Sequence, residues 1–227
     1  MALLLSENCM PNQTVQYKAL SYSAVIIMIG IITSGPIGSY IAQQYNFQSA
    51  PFYFGFVLMF GILLFFASIP PQKNEWERIN SKLVIFFAGI YTCIISLNYL
   101  LQIALVPKII SEPNLTEMLS VSNSNSFFWD LEMTGYGFLG LATLSASTFF
   151  HNGKKQEMIR LMCIINGIIS ILGAILTFVF DGWVLSNAGL LCYLIWNIVI
   201  MLLAVYLILE YRFGKRIITH ITPYEKQ

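Results

Sequence analysis

The chain has 227 residues, 57% of them hydrophobic and 10% charged, with a formal net charge of +1 and a mean hydropathy of +0.70. Soluble domains run at about 45–50% apolar and about 25% charged, so water cannot be the main solvent for this surface. A near-zero charge without a basic stripe also excludes the electrostatic footprint of a nucleic-acid binder.

Along the chain, residues 1–18 open with a short apolar run, Ala2 to Leu5, but have neither a basic leading region nor a hydrophobic region of signal-peptide length. They do not read as a cleaved signal. Cys9 follows Ser6-Glu7-Asn8 and reads as an ordinary thiol. A bilayer core about 30 Å thick requires roughly 20 apolar residues in a helix, which satisfies its own backbone groups. Residues 19–42, 51–69, 83–106, 127–150, 161–180 and 183–209 meet that requirement, and all but the fourth stretch are free of charge. The fold class expected is therefore all-α: one membrane domain over residues 1–227, a bundle of six transmembrane helices.

The first span carries small residues at Gly30, Ser34 and Gly38, and its Ser34-Gly35-Pro36 sequence predicts a kink, because proline removes a backbone donor. The second ends at Pro70-Pro71, and the third bears Tyr91, Asn98 and Gln102 at helical spacing. A Ser- and Asn-rich loop over 108–126 follows, with a short amphipathic helix expected over 115–121, and is expected to cover the external face. The fourth span contains Asp130 and Glu132, together with small residues at Gly135, Gly137, Gly140, Ala142 and Ala146. The fifth has a stripe of Asn166, Ser170, Gly173 and Thr177, and the sixth has Asn187 near its start, with Tyr193 and Trp196 read as packing residues. Such stripes ordinarily mark faces buried against other helices. Trp129, Trp183, Tyr45 and Tyr211 lie near span ends, where aromatic anchors belong.

Basic residues fix the expected orientation. Lys73, Arg78 and Lys82 lie between spans two and three, Lys154, Lys155 and Arg160 between four and five, and Arg212, Lys215, Arg216 and Lys226 in the tail; the loop 107–126 has Lys108 alone. The positive-inside rule then places both termini in the cytoplasm. The two halves show no repeat, although three spans plus three would suit an inverted pair.

Catalytic and metal motifs are missing from the sequence, and no histidine falls inside a span; His151 and His220 lie on the cytoplasmic side, and His151 reads as a loop residue. Cys93, Cys163 and Cys192 fall within hydrophobic segments without metal-ligand spacing, which argues against a disulfide framework or a zinc site. The Asn-x-Thr sequons at Asn12 and Asn114 occur at chance frequency. The expectation is a protein without cofactor or catalytic residues.

Intramembrane charge is expensive and marks function by default. Asp130, in the first turn of its helix, is expected to be interfacial and favoured by the helix N-terminus. Glu132 lies about 200° further round the helix. Gln102, Glu132 and Asn187 should sit at similar heights in the outer leaflet, with Asn98 and Thr177 nearby. Glu132, Gln102, Asn98, Asn187 and Asp130 are thus the candidate ligand-binding residues of an externally open polar pocket.

The run from Phe128-Trp129-Asp130-Leu131-Glu132 through Met133-Thr134-Gly135-Tyr136-Gly137 to Phe138-Leu139-Gly140 resembles a stretch of uncharacterised prokaryotic multi-pass membrane proteins of similar length. There an acidic residue precedes a half-span rich in Gly and aromatics. The resemblance implies the six-span class and no activity. Short loops and low charge suit a bacterial or archaeal cell membrane.

Three functions follow as expectations. The first is a non-enzymatic protein that binds or translocates a small ligand, cationic where Glu132 is the contact. The second is an accessory subunit that docks a membrane partner or a second copy through its small-residue faces, Gly137 and Gly140 above all. The third, ranked last, is an intramembrane enzyme using Asp130 or Glu132 as acid or base.

Overall fold

The computed structural model describes residues 13–45, 49–69, 75–151 and 153–221, with the backbone alone described at 13, 14, 77 and 212–221. The expectations for Cys9, Asn12, Pro70-Pro71, Lys73 and Lys226 lie outside the described residues. Among the described residues the chain is all-helical, as α1 (Gln13–Ile32), α2 (Gly38–Gln44), α3 (Ala50–Ala67), α4 (Glu75–Leu100), α5 (Pro113–Met118), α6 (Phe127–Ser147), α7 (Lys154–Val179) and α8 (Asn187–Ile221).

Among the described residues, five segments are long and apolar enough to cross a membrane: Val15–Gln44, Ala50–Ala67, Arg78–Lys108, Lys154–Val179 and Asn187–Tyr211. Their outer faces carry exposed apolar side chains such as Phe60, Ile85, Phe86, Leu97, Phe178 and Leu194, the surface expected of helices solvated by lipid. The remaining long helix, α6, is absent from this set. Its Asp130 and Glu132 and its many Gly, Ser and Thr residues lower its hydropathy. The reason is structural, because α6 buries Phe128, Glu132, Gly135, Leu139, Gly140, Ala142, Thr143, Ala146 and Ser147 against other helices.

Local chemistry sets several boundaries. The kink expected at Ser34-Gly35-Pro36 is a π-helical turn, Thr33–Ile37, joining α1 to α2, as occurs where proline interrupts the backbone ladder. Thr33 and Ser34 hydroxyls donate back to the Ile29 and Gly30 carbonyls. A second π turn, Leu101–Leu105, ends α4. The last helix begins later than residue 183: Trp183–Leu185 is a 3₁₀ turn and Ser186 is extended, and Ser186 Oγ accepts from the Gly189 N–H at 3.1 Å. Gly153 and Gly182 supply the positive φ values, 104° and 73°, that the turns before α7 and after it require.

Each long helix packs principally on two neighbours, in the cyclic order α1, α3, α4, α6, α7, α8 and back to α1. The six helices form a closed ring. Hydrophobic burial does not drive such packing inside a lipid, which is as apolar as leucine; close van der Waals contact and hydrogen bonds do. Glycine permits it: a Cβ on Gly61 of α3 would lie 2.8 Å from the Ile27 backbone N of α1, and one on Gly140 of α6 would lie 2.8 Å from the Gly167 carbonyl oxygen of α7. The small-residue face of α6 is thus used inside this chain.

Candidate functional site

Glu132 stands between the first and second turns of α6 and points into the ring rather than out of it. Its residue is 5% exposed. Asn98 Nδ2, on α4, donates to Glu132 Oε2 at 2.8 Å and to the Phe128 carbonyl at 3.2 Å. Tyr99 Oη donates to Glu132 Oε1 at 3.1 Å. Adjacent residues of α4 can both reach one carboxylate because α4 and α6 pack closely, with Gly135 of α6 seated against Ile95. With the Tyr136 hydroxyl also within hydrogen-bonding reach of Glu132, three donors face the roughly four acceptor positions of a carboxylate.

The remaining side of Glu132 faces a cavity of about 290 Å³ inside the ring, at the lower end of the roughly 300–1,000 Å³ range of small-molecule sites. The π turn that follows α1 and the other five ring helices all contribute to its wall. Phe52 of α3, Tyr99 of α4, and Phe128 of α6 form one aromatic side, with Phe52 centred 5.6 Å from Tyr99 and 5.8 Å from Phe128. Tyr136 of α6 with Tyr193 and Trp196 of α8 forms the other; the Tyr136 and Trp196 rings are 5.0 Å apart. Ser170 of α7 contributes a buried hydroxyl, which accepts from Trp196 Nε1 at 3.0 Å. Cys192 of α8 also lines the wall.

At the end of the bundle nearest Glu132, the cavity is bordered by Val121, Trp129 and the 3₁₀ turn at Trp183–Leu185. The loop over 109–126, which contains α5, is fastened there by three bonds. Gln102 Nε2 donates to the Leu119 carbonyl at 2.9 Å, Trp129 Nε1 donates to the Val121 carbonyl at 2.9 Å, and the Gly182 N–H donates to Asn125 Oδ1 at 2.8 Å. No protein-family model matches the chain, and neither a curated protein nor a solved structure does. The geometry of the site therefore carries the functional argument.

The five candidate residues separate in space. Asn98 and Glu132 are hydrogen-bonded to each other. Gln102 is buried but turned to the loop, one turn beyond Asn98, and is a fastening for Leu119 rather than part of the cavity wall. Asn187 is exposed and lies in the first turn of α8, since that helix starts there and not at residue 183; it does not line the cavity. Asp130 is half-buried in the first turn of α6, also outside the cavity wall. Of the stripe on α7, Ser170 and Gly173 line the cavity, whereas Asn166 is fully buried and donates to Thr143 Oγ1 at 3.2 Å, and Thr177 bonds back to the Gly173 carbonyl of its own helix.

The aromatic wall is what sequence reading missed. Tyr136 follows Glu132 by one helical turn and so shares its face, whereas Tyr99 directly follows Asn98 and lies about 100° round the helix from it. Tyr193 and Trp196 read as packing residues because nothing local distinguishes an aromatic facing a neighbour from one facing a void.

Proposed function

We propose that this protein is a non-enzymatic, six-span membrane protein that binds or translocates a small cationic ligand held by Glu132 in the outer half of the helix ring. One observation carries the reading. A carboxylate lies inside a membrane-embedded ring, held by Asn98 and Tyr99 on one side and facing a cavity of ligand size on the other. A charge in that position is costly and marks a ligand or ion site by default. In this reading α6 is the sixth span, since its two acids lie near one end and Glu132 faces inward. Both termini are cytoplasmic, and the loop over 109–126 lies outside, in a bacterial or archaeal cell membrane.

The test is a thermal-unfolding screen of the detergent-purified chain against cations, lipids and metabolites, run beside Glu132→Gln, because a ligand of the native state raises stability by mass action. A compound that raises the midpoint of the parent and not of the variant is the expected result. If no compound moves the parent and the variant is as stable as the parent, the carboxylate has no ligand and this reading is wrong.

A further inference from the structure

We propose that the ligand class is a hydrophobic organic amine: one protonated amino group on a small aromatic or branched aliphatic body, with the ammonium on Glu132 and the body between the two aromatic walls. This deepens the cation-binding reading given above and rests on it.

The argument begins with the donors and acceptors facing the cavity. Glu132 is its one carboxylate, and the polar groups that accompany it are hydroxyls and an amide, from Ser34, Tyr99, Tyr136, Ser170, Tyr193 and Asn197. A hard cation such as calcium or magnesium needs about six to eight oxygen ligands in a compact shell. Here the oxygens are spread round the wall between aromatic rings, and the polar groups of Tyr99 and Asn197 are directed to protein acceptors: Tyr99 Oη donates to Glu132, and Asn197 Nδ2 donates to the Tyr193 carbonyl. An ammonium requires less. It needs an acceptor for its N–H groups, which the acceptor capacity left on Glu132 beside Asn98, Tyr99 and Tyr136 provides, and it gains from the negative faces of Tyr and Trp rings within about 6 Å.

The walls then select the rest of the ligand. Phe52, Tyr99 and Phe128 make one ring cluster of the lining and Tyr136, Tyr193 and Trp196 another, so most of any occupant contacts hydrocarbon or ring. An apolar body fits that surface. A strongly hydrated polyamine or a sugar would leave polar groups without partners there, and a buried polar group without a partner weakens binding. The volume of about 290 Å³ limits the body to a single ring or a short branched chain.

Three of the four tryptophans of the chain, Trp129, Trp183 and Trp196, line this cavity, so their fluorescence reports occupancy directly. The experiment titrates the full detergent-purified chain with 2-phenylethylammonium, with the uncharged 2-phenylethanol of the same body, and with sodium and potassium chloride. Fluorescence and the thermal midpoint are both recorded. The expected result is a saturable response to the amine, at least ten-fold weaker for the alcohol in the parent protein and at least ten-fold weaker for the amine in Glu132→Gln. The amine-to-alcohol comparison needs no variant, and Tyr136→Leu, which keeps the carboxylate, should weaken amine binding several-fold. Equal binding of alcohol and amine overturns the proposal, as does unaltered amine binding in Glu132→Gln. A Glu132-dependent response to sodium or potassium with none to the amine overturns the amine class while leaving the cation site standing. Silence from the amine in the parent also overturns it, and the broader screen then decides whether the Glu132 site survives with another ligand.

Discussion

Asn98 is the residue on which Glu132 depends most. Its amide supplies the shorter of the two bonds to the carboxylate and at the same time donates to the Phe128 carbonyl, so its loss removes a donor from two acceptors at once. Asn98→Ala should therefore destabilise the protein by about 1–3 kcal/mol, whereas Tyr99→Phe, which removes one hydroxyl, should cost about 1 kcal/mol. Chemical unfolding in detergent checks both values. Each loss should shrink when the substitution is made in a Glu132→Gln background, because a coupled pair is not additive. Equal costs in the two backgrounds would mean that these bonds matter little to the folded state. Glu132 itself stood out in the sequence as one of two acids within the expected spans, beside Asp130. Its partners were only half visible: Asn98 shares its depth, but so does Asn187, and depth does not say which way a side chain points.

For the helices, the glycines separate into those that hold two backbones together and those that do not. A leucine at Gly140 would put its Cβ 2.8 Å from the Gly167 carbonyl oxygen, backbone that can yield only by parting α6 from α7. Gly140→Leu should reduce the yield of folded protein sharply in size-exclusion profiles. At Gly137 the nearest atom to a new Cβ is Ala174 Cβ at 3.1 Å, beside an open apolar groove between the same two helices, so Gly137→Leu should be milder. Gly89 of α4 has nothing within 4 Å of where an added methyl group would stand; Gly89→Ala should raise stability by up to about 1 kcal/mol through helix propensity alone. Thermal midpoints of the three variants should rank in that order, with Gly140→Leu lowest. The weak hydropathy of α6 has the same origin, since a helix packed between α4 and α7 needs small residues and tolerates polar ones that a lipid-facing helix does not.

At the scale of the molecule, closure of the ring places the site. α1 meets α8 through the stacked rings of Tyr17 and Tyr211, 5.2 Å apart, so the first and last long helices complete a wall around the cavity. The loop over 109–126 lies at one end, tied to the α7–α8 turn by Asn125. Asn125→Ala should loosen that fastening and speed the alkylation of Cys192 on the cavity wall relative to the parent protein; an unchanged rate would show that the loop does not limit access. The proposed orientation is checked in intact cells by labelling with an impermeant maleimide, which should modify Asn114→Cys and spare Lys154→Cys. What the sequence by itself determined was the apolar, all-helical character of the chain, the approximate limits of five long apolar segments, the break at Pro36 and the pair of acids, Asp130 and Glu132, near the start of α6. Each of these is a property of a residue or a short run, set by hydropathy, backbone chemistry and the cost of charge in lipid. Only the tertiary structure decided that Gln102 turns to the loop, that Asn187 stays outside, and that Tyr99, Tyr136, Tyr193 and Trp196 surround the carboxylate. Those outcomes depend on the rotation of each helix about its axis and on the cyclic order of six helices. Both are fixed by contacts between residues far apart in the chain, which no local pattern encodes.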